Sequence, residues 1–137
     1  MKSMVLFIDF KENAGRCADV LRRHDCLFMY EQYDGYHDAF RRIIKNNFDI
    51  MIANLDTDSK QLNVSSLVRA NYNIGKHTVV RYSSVFQKMK FMLCNMDILD
   101  NLVFIRNDCG NDHFVHAVNR ISSRETVPFG EIFNKYI

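Results

Sequence analysis

Short apolar runs and stretches of helical period take turns along this chain. The clearest run lies in residues 48–56, Phe-Asp-Ile-Met-Ile-Ala-Asn-Leu-Asp, where Ile50 to Ala53 is continuously apolar, opened by Asp49 and closed by Asn54. A brief apolar run between polar residues predicts a strand buried on both faces, as at the centre of a parallel sheet. Met4 to Ile8, stopped by Asp9, predicts a first strand. Cys26 to Tyr30, Thr78 to Tyr82 and Leu102 to Ile105 predict the second, fourth and fifth.

Helical period fills the gaps. From Lys11 to Asp25, Ala14, Cys17, Ala18 and Leu21 share one side, with Arg16, Asp19, Arg22 and Arg23 opposite. A second helix, Tyr36 to Asn46, places Ala39, Phe40, Ile43 and Ile44 inward, after the turn signal Asp34-Gly35. A third, Gln61 to Asn71, buries Val64, Leu67 and Val68. A fourth, Val85 to Asn95, offers Val85, Phe86, Met89, Met92 and Leu93 as its apolar side. A fifth starts at Asn111 or Asp112, either of which can cap it, and buries Phe114, Val118 and Ile121.

Five β-α units in succession predict a parallel sheet with helices on both faces. Right-handed crossovers make it a doubly wound, flavodoxin-like α/β fold, a three-layer α/β/α sandwich of five parallel strands in the order 2-1-3-4-5. Residues 1–123 form this domain. Residues 124–137, with Pro128, Gly130 and the aromatic group Phe129, Phe133 and Tyr136, are expected to be a C-terminal tail or connector.

Composition narrows the function. A formal charge of +2 over 137 residues is too near neutral to imply nucleic acid or membrane. The basic residues Arg22, Arg23, Arg41, Arg42 and Lys45 read as solvated helix faces, so direct nucleic-acid binding is not expected. No apolar run reaches the roughly 18 residues of a membrane helix. The cytoplasm is the expected compartment, with Cys17, Cys26, Cys94 and Cys109 reduced. The chain has no Gly-rich phosphate loop, no Gly-x-Ser-x-Gly and no His-Glu-x-x-His. No catalytic residue, cofactor or metal site is expected. Cys109, His113 and His116 share one face of the last helix, and a solvated pair of histidines is the expectation over a zinc site. Met89, Met92 and Met96 read as core filler.

Open α/β sheets keep their chemistry beyond the carboxyl ends of the strands. The residues there are Asp9 and Phe10 after the first strand, Asn54 and Asp56 after the third, Ser83 after the fourth and Arg106 at the fifth. This pattern, over residues 3–123, resembles the receiver domain of bacterial response regulators. Receivers end the first strand with two acids that hold Mg²⁺; here Asp9 is followed by Phe10. Aligning on Asp49 puts Asn54 at the phosphoacceptor position. Ser83 matches the fourth-strand Ser/Thr, and Arg106-Asn107 stands where receivers carry Lys-Pro.

Acyl-phosphate formation needs an anionic oxygen nucleophile and a metal to neutralise charge. The resemblance therefore implies a degenerate phosphoacceptor pocket. Asp56, two residues past the strand end, is expected to lie outside it, and Arg106 is expected to pair with Asp9 in place of Mg²⁺. The resemblance also implies a dimer face on the fourth helix, fifth strand and last helix, near Lys88, Lys90, His113, His116, Asn119 and Arg120. The implied function is a non-phosphorylatable, receiver-like signalling domain acting on a protein partner or as a homodimer. It would regulate a bacterial transcription regulator whose DNA-binding or ATPase effector lies outside this chain. The alternative is a domain sensing a small molecule, for example a nucleotide, in the same crevice.

Overall fold

The computed structural model describes residues 2–122; the expected tail at 124–137 lies outside them. Five parallel strands, β1 (Ser3–Ile8), β2 (Leu27–Tyr33), β3 (Ile50–Asn54), β4 (Thr78–Tyr82) and β5 (Leu102–Arg106), stand in the order β2-β1-β3-β4-β5. Five helices alternate with them: α1 (Lys11–Arg23), α2 (Tyr36–Lys45), α3 (Val64–Asn73), α4 (Val85–Cys94) and α5 (Asn111–Ser122). The expected fold class and strand order are therefore observed.

The step from β1 out to β2 runs opposite to the later steps, so right-handed connections put α1 on one face and α2, α3 and α4 on the other. Accordingly α1 packs with α5, and α2 with α3. The sheet centre explains why these strands form. In β3 every residue is buried, and Val5 to Ile8 in β1 are fully buried. Each such aliphatic or aromatic side chain contributes about 1.5–3 kcal/mol by leaving water. The edge strand β2 is only partly covered: Phe28 and Met29 are exposed.

Local signals set the helix starts. Asn63 accepts from the Ser66 amide and starts α3 at Val64, three residues later than expected. Ser84 accepts from the Gln87 amide and starts α4. A 3₁₀ turn, Leu55–Thr57, follows β3, and another, Met96–Asn101, precedes β5.

Two helices turn differently from expectation. In α2, Ile44 is exposed, whereas Arg42 is buried, bonded to Glu31 and Asn47 and set over the Phe48 ring at 5.6 Å. In α4 the buried side is Lys88, Phe91 and Met92, while Val85, Phe86, Met89 and Leu93 face out, with Met96 beyond them. Met92 is thus core, but Met89 and Met96 are not.

Aromatic rings make the buried Lys88 tolerable on that side: its ammonium lies 5.0 Å from the Tyr82 ring, 5.8 Å from the Phe104 ring and 3.4 Å from the Tyr82 hydroxyl. Burial, with help from the Arg106 charge, lowers its pKa to about 8.

Candidate functional site

The carboxyl ends of β1, β3, β4 and β5 meet in one polar crevice. Asp9 follows β1 and is 1% exposed. Its Oδ1 accepts from the Phe10 amide at 2.7 Å, and both carboxylate oxygens accept from Asn54 Nδ2 at 3.3 Å. Asn13, one turn into α1, adds a 3.4 Å contact. Burial raises the Asp9 pKa, and the Phe10 amide, Asn54, Asn13 and the field of Arg81 oppose that rise. The phenyl ring of Phe10 is half exposed, and this residue's only contribution to the cluster is its backbone.

Asn54, at the end of β3, uses its other atom as well. Its Oδ1 accepts from the Asp56 amide at 3.0 Å and from Asn107 Nδ2 at 3.1 Å. The 3₁₀ turn folds Asp56 back over the strand end, so that it lines the crevice; this corrects the expectation that it lies outside. Asp56 Oδ2 accepts from the Ser83 hydroxyl at 2.6 Å and from Asn107 Nδ2 at 3.1 Å, and Oδ1 accepts from Gln87 Nε2 at 3.1 Å. Gln87 Oε1 accepts from the Ser83 amide at 2.8 Å. The loops after β3, β4 and β5 are thereby tied together through one carboxylate.

Arg106 does not take the place expected for it. It is exposed, and its Nε donates to Asp108 at 2.9 Å. The residue that reaches Asn54 from the end of β5 is Asn107. Side chains alternate across a strand, so a shift of one residue exchanges inside for outside. The cation near Asp9 is instead Arg81, the register partner of Asn54 on β4 and itself buried.

Sequence reasoning misses Arg81 and Gln87, and names Asn107 only as the residue after Arg106. For Arg81 a signal existed: a charged residue inside an otherwise buried strand, Thr78-Val-Val-Arg-Tyr82, needs a partner or a purpose.

A receiver-like Mg²⁺ site does not fit these residues. Mg²⁺ asks for several hard oxygens in an octahedron. The one buried carboxylate is already engaged by N–H donors, and Phe10 supplies no oxygen from its side chain. Among the described residues no group of three His, Cys, Asp or Glu is placed to share a metal, the Cys109, His113 and His116 set included.

Of the expected dimer face, Lys90, His113, His116 and Asn119 are exposed and Arg120 is half-buried. Lys88 is 2% exposed and is removed from that face. The outer surface of α4 is apolar instead.

No family model matches the chain, and no curated protein is detectably similar to it. Solved structures are. A protein assigned as a response regulator from Chloroflexus aurantiacus J-10-fl superposes with a TM-score of 0.69 at 14% identity, covering 90% of this chain and 100% of that one. A signal receiver domain assigned to a Luxo repressor protein from Vibrio parahaemolyticus gives 0.68 at 12% identity, covering 90% and 92%. The receiver domain of the Francisella response regulator 1452 gives 0.64 at 17% identity, covering 88% and 96%. Among the described residues no helix is long and apolar enough to cross a membrane. The topology, the strand-end crevice and these superpositions agree on one conclusion: this chain has the fold of a response-regulator receiver domain.

Proposed function

We propose that the chain is a receiver-like signalling module that works without phosphoryl transfer, through protein-protein contact. The observation that carries this reading is the Asn54 amide bonded across to Asp9. An amide is neutral and offers no anionic oxygen to a phosphoryl donor, and it satisfies the carboxylate that a metal would otherwise use. Asp56 is the one other carboxylate of the crevice, and three side chains already occupy its oxygens. The bonds from Asp56 to Ser83, Gln87 and Asn107 hold the crevice loops in a single arrangement. This network is the lock, in place of a pair between Arg106 and Asp9.

The output surface is the outer side of α4. Phe86 is 79% exposed and Leu93 72%, with Met89 between them and Met96 beyond, at the spacing of one helical stripe. Contiguous exposed apolar surface of this kind marks a protein contact. A second copy of the chain is the partner favoured by the resemblance, with the exposed Lys90 on the same helix. Regulation of transcription through an attached or separate effector is the biological setting this supports.

Incubation of the purified chain with acetyl phosphate and Mg²⁺, followed by intact-mass measurement, tests the reading. The expected result is no phosphoryl adduct. An adduct lost in Asp56→Asn would overturn it.

A further inference from the structure

The crevice continues into a depression of about 380 Å³, walled by Asn54, Asp56 and Asn107 at the strand ends and extending between α1, the end of β4 and the start of α5. Arg81 lines it and is 8% exposed. Its Nη1 lies 2.6 Å from Cys17 Sγ, its Nη2 donates to the Asn107 carbonyl at 3.0 Å, and its plane covers the Phe114 ring at 4.7 Å. Its Nε is buried and has no partner. Among the described residues no carboxylate forms an ion pair with it.

A buried guanidinium normally requires a hydrogen-bonded counter-charge. A thiol is a weak acceptor, and burial keeps the Cys17 thiol protonated by raising its pKa. The Asp9 carboxylate contributes its field, but Asn54 and the Phe10 amide take its bonds.

The rest of the wall has the same sense. Arg16, exposed on α1, lines the same depression. The first turn of α5 opens onto it at Asn111, and Gly110, whose carbonyl accepts the Phe114 amide, has no side chain with which to cap that turn. Uncapped first-turn amides and the helix dipole favour an anion there. The one carboxylate of the lining, Asp56, is turned to Ser83, Gln87 and Asn107. Val20 and Phe114 give the wall an apolar part. Small-molecule pockets run from about 300 to 1,000 Å³, so this one suits a compact ligand.

We propose that this depression binds a small organic anion, a carboxylate or a phosphate monoester, with its charged end on Arg81 and Arg16 and its organic part against Val20 and Phe114. Asn54 and Asp56 line the same depression, but the contacts assigned to the anion are Arg81 and Arg16, so its binding is tested separately from phosphoryl acceptance. It does give the module an input: Asn107 receives Arg81 on its carbonyl and gives its side-chain amide to Asn54, Asp56 and Ser83, so a ligand on Arg81 acts on the lock through one residue.

The test is a titration of the ¹⁵N-labelled full chain with acetate, benzoate, inorganic phosphate and phenyl phosphate at constant ionic strength. The expected result is saturable amide shifts for benzoate or phenyl phosphate, centred on Asn107 to Phe114 and on α1 near Cys17, with weaker binding of the parent acetate or phosphate. Arg81→Lys, which keeps the charge but loses the fork, should weaken binding at least tenfold. Arg16→Gln should weaken it several-fold, and Val20→Trp should abolish it while leaving both cations. Because Arg16 is exposed, its variant remains informative if the Arg81 variant fails to fold. The proposal is overturned if none of the four anions gives saturable shifts, or if binding is unchanged in both Arg16→Gln and Val20→Trp.

Discussion

Replacing Asn54 by aspartate restores the acid that receivers carry, and the structure predicts that it weakens this fold. Asn54 Nδ2 donates to both Asp9 oxygens at 3.3 Å. In Asn54→Asp a second carboxylate faces the first with no donor between them. At a separation of about 4 Å and an effective dielectric near 20, the repulsion is about 4 kcal/mol. A shared proton can relieve it, but protonating a carboxylate of ordinary pKa near 4 at pH 7 costs about 4 kcal/mol as well, at about 1.36 kcal/mol per unit. Burial has already raised the Asp9 pKa, which directs the proton there first.

Both routes give a loss of about 3–4 kcal/mol at pH 7 in EDTA. A carboxyl whose folded pKa is raised weakens the fold fully above that pKa and sheds the penalty as pH falls from there to the unfolded value. The deficit should therefore shrink toward pH 4. Mg²⁺ should restore part of it by binding the native state. Urea titrations of both proteins at pH 4 to 8, with EDTA or Mg²⁺, measure this. Equal stability of Asn54→Asp and the parent at pH 7 in EDTA would refute the geometry assigned to Asp9 and Asn54.

Other outcomes follow from the same packing. Asp56→Ala removes the acceptor of Ser83, Gln87 and Asn107 and should cost about 1–2 kcal/mol, since the site is partly hydrated; hydrogen exchange at Ser83 to Gln87 should rise with it. Lys88→Met should stabilise the fold. The Lys88 pKa is lowered from 10.5 to about 8, and once cation-π attraction and residual hydration offset the burial penalty, about 1–2 kcal/mol remains at pH 7. A base with a lowered folded pKa carries its full penalty below pH 8 and sheds it as pH rises toward 10.5. The advantage of Lys88→Met should accordingly vanish by about pH 10.5 in urea titrations, and a variant less stable at pH 7 would refute the net burial penalty assigned to the ammonium. Phe86→Asp with Leu93→Asp should leave monomer stability within about 0.5 kcal/mol, both positions being exposed. It should abolish self-association in sedimentation velocity; a parent that is monomeric at all concentrations excludes the α4 face as a homodimer contact.

The sheet was legible because four of its strands are apolar runs with a polar stop, and alternation with helices leaves few ways to connect them. The position of Asn54 followed from counting along β3. The orientation of α4 was not legible. Phe86, Met89 and Leu93 form one stripe of helical spacing and Lys88, Phe91 and Met92 another, and hydropathy alone favours the first. The second buries Phe91 and Met92, and its lysine is tolerated there because Tyr82 on β4 and Phe104 on β5 place rings beside the ammonium. Arg106 and Asn107 exchange roles for a similar reason: pattern located the end of β5 to within a residue, and one residue decides which side chain enters the crevice. Asp56 entered because Leu55–Thr57 forms a 3₁₀ turn, where an extended loop would have carried it away.

The central claim is that the crevice lacks the chemistry of phosphoryl acceptance and that its loops are held in one arrangement by Asn54 and Asp56. The most direct measurement is ¹⁹F NMR of the chain with beryllium fluoride and Mg²⁺, alongside amide shifts of the crevice loops. No bound fluoride resonance and unmoved Asp9, Asn54 and Ser83 amides are the predicted result. A stoichiometric beryllofluoride signal that requires Mg²⁺ would contradict the account.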